Sequence, residues 1–188
     1  MRRFLFLIIS ISFLLVFTGI LWAAPSWTFD DPEEIDTWSA VNQCNYSVEN
    51  GVLITESTGG DPYLFPGGEW NVVDWEPFSG AAYTTIYMRL KLNQASTWQV
   101  YYITEENGTW GEEQRQNFEL EASDDFVDVT MVMERGGWQD HTVNHFRIDP
   151  GTVAGVVAEI DYISLEPLAA SAVDSKDKIA TTWAKIKK

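Results

Sequence analysis

The chain has a single cysteine, Cys44, among its 188 residues, so no disulfide can form within it. Histidine is almost as scarce. His141 and His145 stand in a segment that reads as strand, where four residues separate them by roughly 13 Å, too far to share a metal ion. No Gly-x-Ser-x-Gly element is present, which leaves a nucleophilic triad without its usual elbow. Cations are few: 12 Lys and Arg against 28 Asp and Glu, for a formal net charge of −16. That balance argues against nucleic acid and against anionic membranes, because both require a surface of neutralising cations. No helical period is sustained between residues 27 and 166, and beyond the first 24 residues there is no long apolar run.

Those first 24 residues have their own character. Arg2 and Arg3 precede an apolar stretch from Phe4 to Trp22, which is followed by Ala23, Ala24 and Pro25. This is the layout of a secretory signal peptide. It predicts a secreted, periplasmic or cell-surface protein with no membrane attachment after cleavage. A retained anchor is the competing reading, since about 19 apolar residues could just span a bilayer. Without Arg2 and Arg3 the formal charge becomes −18.

From Pro25 onward the pattern is that of strands. In YTTIYMRLKL, Ile86, Met88, Leu90 and Leu92 alternate with Tyr83, Thr85, Tyr87, Arg89 and Lys91, a period of two that no helix produces. Residues 126–133 repeat the device. In 143–149, Asn144, Phe146 and Ile148 oppose Val143, His145, Arg147 and Asp149. Further strands are expected at 27–30, 46–49, 52–56, 98–104, 116–121 and 156–165. Asn50-Gly51 marks a hairpin, and Gly59-Gly60-Asp61-Pro62, Pro66-Gly67-Gly68, Asn107-Gly108, Gly136-Gly137 and Asp149-Pro150-Gly151 break the chain elsewhere. The expectation is an all-β, two-sheet antiparallel sandwich over residues 25–168. A core of that size requires no metal or disulfide. The longest irregular stretch, 64–82, contains two Trp, and a loop of that length is usually functional or disordered.

The last twenty residues differ. Five Lys and two Asp give 169–188 a charge of +3, whereas 25–168 carry −21. Ile179, Trp183 and Ile186 fall at helical spacing, which predicts a linker and a short basic amphipathic helix. This tail is a candidate docking segment for a protein partner.

The order of features resembles a known family. Trp27-Thr-Phe29-Asp30 opens the domain and Trp38 follows. Next come Glu49-Asn-Gly-Val-Leu53, Asp61-Pro-Tyr63-Leu64 and the long strand through Arg89. Trp138 precedes Phe146-Arg-Ile-Asp-Pro150, and Glu159-Ile-Asp-Tyr-Ile-Ser-Leu165 closes the domain. The sequence is similar to the carbohydrate-binding-module type of jelly roll, the galactose-binding-like or concanavalin-like β-sandwiches of secreted bacterial proteins. That resemblance implies a glycan ligand, held on a concave sheet face or in loops at one end. It also implies a structural calcium ion near the first and last strands, for which Asp30, Asp31 and Asp161 are the candidates. Glu159-Ile160-Asp161 further resembles the catalytic strand of laminarinase-like hydrolases. There a second Glu stands four or five residues on; here those positions are Ile163 and Ser164, and Glu166 falls on the opposite face. Retaining hydrolysis needs two carboxyls about 5 Å apart, so the sequence is read as non-catalytic.

Sugar rings present apolar C–H faces that Trp and Tyr match. The candidate binding residues are Trp70 and Trp75 in the long loop, Trp110 in an Asn/Gly turn, and Trp98 and Tyr102 on one strand face. Tyr87, Arg89 and Arg147 form a second group: with Lys91 and His145 they make one cationic, aromatic platform if their strands share a sheet. Each Trp can equally be a packing residue, as Trp27 and Trp38 are assigned to be. The leading expectation is a secreted carbohydrate-binding domain. The alternative is a structural or adhesive domain that docks protein partners, through its tail in particular.

Overall fold

The computed structural model describes residues 23–168 except 70, 71 and 74; the expected signal segment and basic tail lie outside these apart from Ala23 and Ala24. Fourteen strands are present among the described residues: β1 (Ser26–Trp27), β2 (Ser39–Asn42), β3 (Cys44–Glu49), β4 (Val52–Ser57), β5 (Tyr63–Phe65), β6 (Gly68–Glu69), β7 (Val72–Val73), β8 (Phe78–Ser79), β9 (Thr85–Leu92), β10 (Ser96–Thr104), β11 (Arg115–Leu120), β12 (Ser123–Val132), β13 (Thr142–Asp149) and β14 (Val157–Ser164). Short 3₁₀ helices occupy Pro32–Thr37 and Glu112–Gln114.

The strands form two six-stranded antiparallel sheets. The first runs β12-β9-β14-β4-β3, with β1 added on β14. The second runs β11-β10-β13-β5-β2, with β8 added on β13. Strands β6 and β7 make a separate ribbon. The expected sandwich is therefore present. Within the stretch 64–82, Leu64 of β5 and Phe78 and Ser79 of β8 pair with β13. The Asn-Gly hairpin is also as expected: Asn50 and Gly51 have φ values of 53° and 75°, and both positive angles match the twist of β3 and β4.

Alternation buries one side of each sheet in the interior. Ile86, Met88, Leu90 and Leu92 of β9 meet Trp98, Val100 and Tyr102 of β10 and Phe146 and Ile148 of β13 in one core. Two irregularities set the phase. The β14–β9 ladder shifts between Ile160 and Tyr162, so Ile160 and Ile163 both point inward although three residues apart. The β10–β13 ladder shifts between Ile103 and Thr104. As a result Val143 joins the core with Phe146 and Ile148, whereas strict alternation grouped it with His145, Arg147 and Asp149. A bulge of this kind inserts one unpaired residue and reverses the facing of what lies beyond it.

Aromatic edges fill the end of the core near the N-terminus. Trp27 meets Trp38 at 5.8 Å and Trp75 at 5.5 Å between ring centroids. Phe29 takes a positive φ of 56° and is held there by the Glu34 carboxylate, which accepts the Thr28 and Phe29 amides at 3.1 and 2.6 Å. Both Trp27 and Trp38 are core residues, as assigned.

Candidate functional site

The outward side of the second sheet collects the side chains that the core rejects. Strand β10 contributes Thr97, Gln99, Tyr101 and Ile103, the positions between its core residues. Register then brings partners beside them. Tyr101 stands opposite Arg147 of β13 and Arg115 of β11; Gln99 stands opposite Asp149 and Asn117; Ile103 stands opposite His145. Strand β5 adds Tyr63 and Phe65 on either side of Leu64, which pairs with Ile148 over the core.

Arg147 is the centre of this face. Its guanidinium carbon lies 4.1 Å from the Tyr101 ring centroid and 4.4 Å from that of Tyr63, so one cation is stacked between two rings. Trp110 approaches at 5.9 Å. Arg147 Nη2 donates to Asp149 Oδ2 at 3.0 Å, and Asp61 Oδ1 lies 3.8 Å away. Arg147 and Asp149 are buried at 7% and 1% exposure, while the Asp61 side chain is 61% exposed. The cation is thus matched by one carboxylate beneath it and a second at the surface. Burial pushes the Asp149 carboxyl up to about 7; Asp61 adds to the rise and Arg147 opposes it.

The Tyr101 ring is fixed at its far end as well. Its hydroxyl donates to Glu112 Oε1 at 2.8 Å and accepts from Arg115 Nη1 at 3.2 Å, and Arg115 pairs with Glu112. Burial raises the Tyr101 hydroxyl above its ordinary value, so it remains a donor. Glu112 begins the 3₁₀ turn that ends the loop carrying Trp110. That loop is tied down where the Asn107 carbonyl accepts Thr104 N at 3.0 Å and Gln114 Nε2 at 3.2 Å. Trp110 then packs edge-on to Phe65 at 5.1 Å and to His145 at 5.4 Å. Towards the other end the face becomes polar: Gln99 Nε2 donates to Asn117 Oδ1 at 3.2 Å, and Thr97 Oγ1 to Glu119 at 2.9 Å. The result is a strip with rings and a buried cation at one end and amides and a carboxylate at the other. Of its rings, Tyr63 and Trp110 are partly exposed, whereas Phe65, Tyr101 and His145 are buried.

The sequence-derived candidates are distributed differently from the expectation. Trp110 and Arg147 belong to this face. Trp98 is fully buried and Tyr102 is 6% exposed; both are core residues, and Tyr102 packs on Trp138 at 5.5 Å. Their strand displays its other face, because Trp98 and Tyr102 share their side with Val100. Trp75 is half-buried among Trp27, His145 and Phe146 and so acts as a packing residue. Trp70 lies outside the described residues. Tyr87, Arg89 and Lys91 stand on β9, in the other sheet from Arg147, so the single cationic platform does not form. There Arg89 pairs with Asp161 at 3.6 Å and Lys91 with Glu159 at 3.0 Å, under the ring of Phe126.

Asp161, one of the calcium candidates, therefore faces a cation, and Asp31 caps the first 3₁₀ helix by accepting Glu33 N at 3.0 Å. Among the described residues no three His, Cys, Asp or Glu side chains are gathered that could hold a metal ion. Tyr63, Tyr101, Asp61 and Asp149 join the face without being among the sequence-derived candidates. The available signal was the odd phase of 97–103 against Arg147 and Asp149.

These features define a class: a two-sheet antiparallel β-sandwich with a ring-lined, charged outer face on one sheet. No family model matches the chain, and no curated protein does. Solved structures are similar to it. A mutant family 29 carbohydrate-binding module complexed with cellulohexaose superposes with a TM-score of 0.50 at 12% identity, over 76% of this chain and 90% of that one. Another mutant of the same module gives 0.49 at 11%, over 75% and 84%. A family 29 module from Piromyces equi gives 0.46 at 9%, over 74% and 87%. At these identities the likeness is one of fold, the jelly-roll architecture that the sequence resembled.

Proposed function

We propose that this chain is an exported, non-catalytic domain that binds a neutral carbohydrate on the outer face of its second sheet. The observation that carries the reading is the stack of Arg147 between Tyr63 and Tyr101, with Asp149 below and Asp61 at the rim. Partly exposed Tyr63 and Trp110 offer apolar faces to sugar rings, and Gln99, Asn117 and Asp61 are placed to hydrogen-bond hydroxyls. This mixture of a few oriented polar groups among aromatic surfaces suits a polyol with flat C–H faces. The charge supports a neutral sugar. Arg147 has two carboxylates near it, and residues 25–168 carry −21. A uronic acid or sulfated sugar would meet net repulsion here. The fold shared with carbohydrate-binding modules supports the reading, and the N-terminal layout supports export.

Binding to a glycan array, followed by calorimetry with Tyr63→Ala, tests it. Neutral glycans should bind, and the variant should weaken them by about 1–3 kcal/mol, the range for a contact aromatic. Binding confined to acidic glycans, or an unchanged affinity in the variant, would remove this face as the site.

A further inference from the structure

Arg147 is too deep to be mainly a contact group. Its side chain is 9% exposed, and of the two rings it separates Tyr63 is partly exposed while Tyr101 is buried. Its effect is to fix the positions of Tyr63 and Tyr101, and it is itself held by Asp149. The Asp149 carboxyl is fully buried, bonds to Arg147 through Oδ2, and leaves Oδ1 with no hydrogen-bond partner within the protein. A buried carboxylate with one orphan oxygen is poorly compensated, and a proton is the simplest relief.

The charged neighbours can be named on every side. Arg147 lies two residues away on β13, Asp61 approaches from the turn after β4, and Arg115 contributes from β11. The Cys44 thiol of β3 feels Asp149 but is pushed up to about 12, chiefly by burial, so it stays neutral. The Tyr101 hydroxyl of β10 is raised, and stays neutral too. Two carboxylates, Asp61 and Asp149, therefore share one guanidinium. Of the two, Asp149 is the buried one, and burial holds its proton up to about pH 7.

We infer that Asp149 is a proton-operated positioning group for the binding face. When ionised it draws Arg147 down between the two tyrosines and aligns their rings; when protonated it releases Arg147 towards Asp61, and the rings lose their spacer. This rests on the carbohydrate reading above and adds its regulation. The sign follows from linkage: a ligand that prefers the ionised form lowers the affinity of Asp149 for its proton, so binding releases protons and weakens as pH falls.

Two separate measurements test it. The first needs no ligand: the Asp149 carboxyl carbon is titrated by NMR in the wild type and in Asp61→Asn, an exposed substitution that leaves the core intact. The midpoint should lie near neutrality and move to lower pH in the variant. A midpoint in the ordinary carboxylate range, or no movement in the variant, overturns the inference. The second is the affinity for cellulohexaose from about pH 5.5 to 8.5. It should be about tenfold or more weaker at the acid end, with proton release seen as a dependence of the calorimetric heat on the buffer. A flat profile together with a titrating Asp149 overturns the inference and spares the carbohydrate reading. No binding of cellulohexaose or of any array glycan at any pH removes both.

Discussion

Tyr101 and Arg147 are register partners across the β10–β13 ladder, and the guanidinium carbon of one lies 4.1 Å from the ring centroid of the other. Cross-strand pairing thus delivers a cation–π contact with no loop involved. Sites carried on strands hold their geometry better than sites on loops. Lysine can keep the charge here but not the flat stack. Arg147→Lys should therefore lower glycan affinity by about tenfold or more while leaving the circular dichroism spectrum unchanged. Equal affinity by calorimetry would show that only the charge matters.

Trp75 and Trp110 should separate cleanly. Trp75 packs on Trp27, His145 and Phe146, so Trp75→Ala should cost about 3 kcal/mol of stability, the scale for truncating a packed aromatic, with the affinity of the folded fraction unchanged. Trp110 lies beside the stacked Arg147, and Trp110→Ala should weaken glycan binding by about 1–3 kcal/mol. Denaturant melts and calorimetry on both variants check the pair. The opposite assignment would move the site to the long loop.

Gly80 is a steric constraint rather than a flexible point. A Cβ there would lie 1.8 Å from the Trp138 carbonyl oxygen, and the Gly80 amide donates to His141 O at 2.9 Å. Backbone on the far side cannot rotate away as a side chain would. Gly80→Ala should destabilise the domain by about 1–3 kcal/mol. A melt matching the wild type would show that the β8 edge detaches freely.

Cys44 should be inert in the folded protein. It is buried, and desolvation pushes its thiol up to about 12. The thiolate that reacts with alkylating reagents is then almost absent at neutral pH. Iodoacetamide should fail to label the native protein over hours and label it readily in denaturant, as read by mass spectrometry. Rapid native labelling would place Cys44 at an opening edge of the first sheet.

Asp149 also links stability to pH. Its folded value is raised from 3.8 to about 7, so between those values the folded state holds a proton that the unfolded state has lost. Stability from this group is complete at low pH and is lost as pH rises through that window. Relative to Asp149→Asn, the wild type should lose about 3–4 kcal/mol between about pH 4 and pH 7. Parallel urea melts of the two proteins measure the difference; parallel lines would contradict the raised value. The site would thereby give up stability in the range where the inferred ligand-binding form appears, a trade common at functional positions.

The candidate site was half legible in the sequence. Arg147 could be found because it is one of five cations in residues 25–168 and stands on the polar side of an alternating strand. Trp110 could be found because its turn residues put it at a loop end. Trp98 and Tyr102 misled because two large aromatics at spacing two look like a binding face. Only the neighbouring strands decide which side of β10 meets the core. Tyr87 and Arg89 misled for a related reason: alternation gives each strand a polar side and says nothing of which sheet that side belongs to.

What the sequence determined by itself is local. Period-two alternation made strands, Asn50-Gly51 made a hairpin through two positive φ angles, and the acidic balance argued against nucleic acid and anionic membranes. These follow from sterics and charge carried by adjacent residues. The tertiary structure decided strand order, the two bulges and hence the facing of Val143 and Ile163, and the meeting of Tyr63, Tyr101, Arg147 and Asp149 from three strands. Those depend on contacts between residues far apart in the chain, where packing of the whole core, and not any local preference, sets the register.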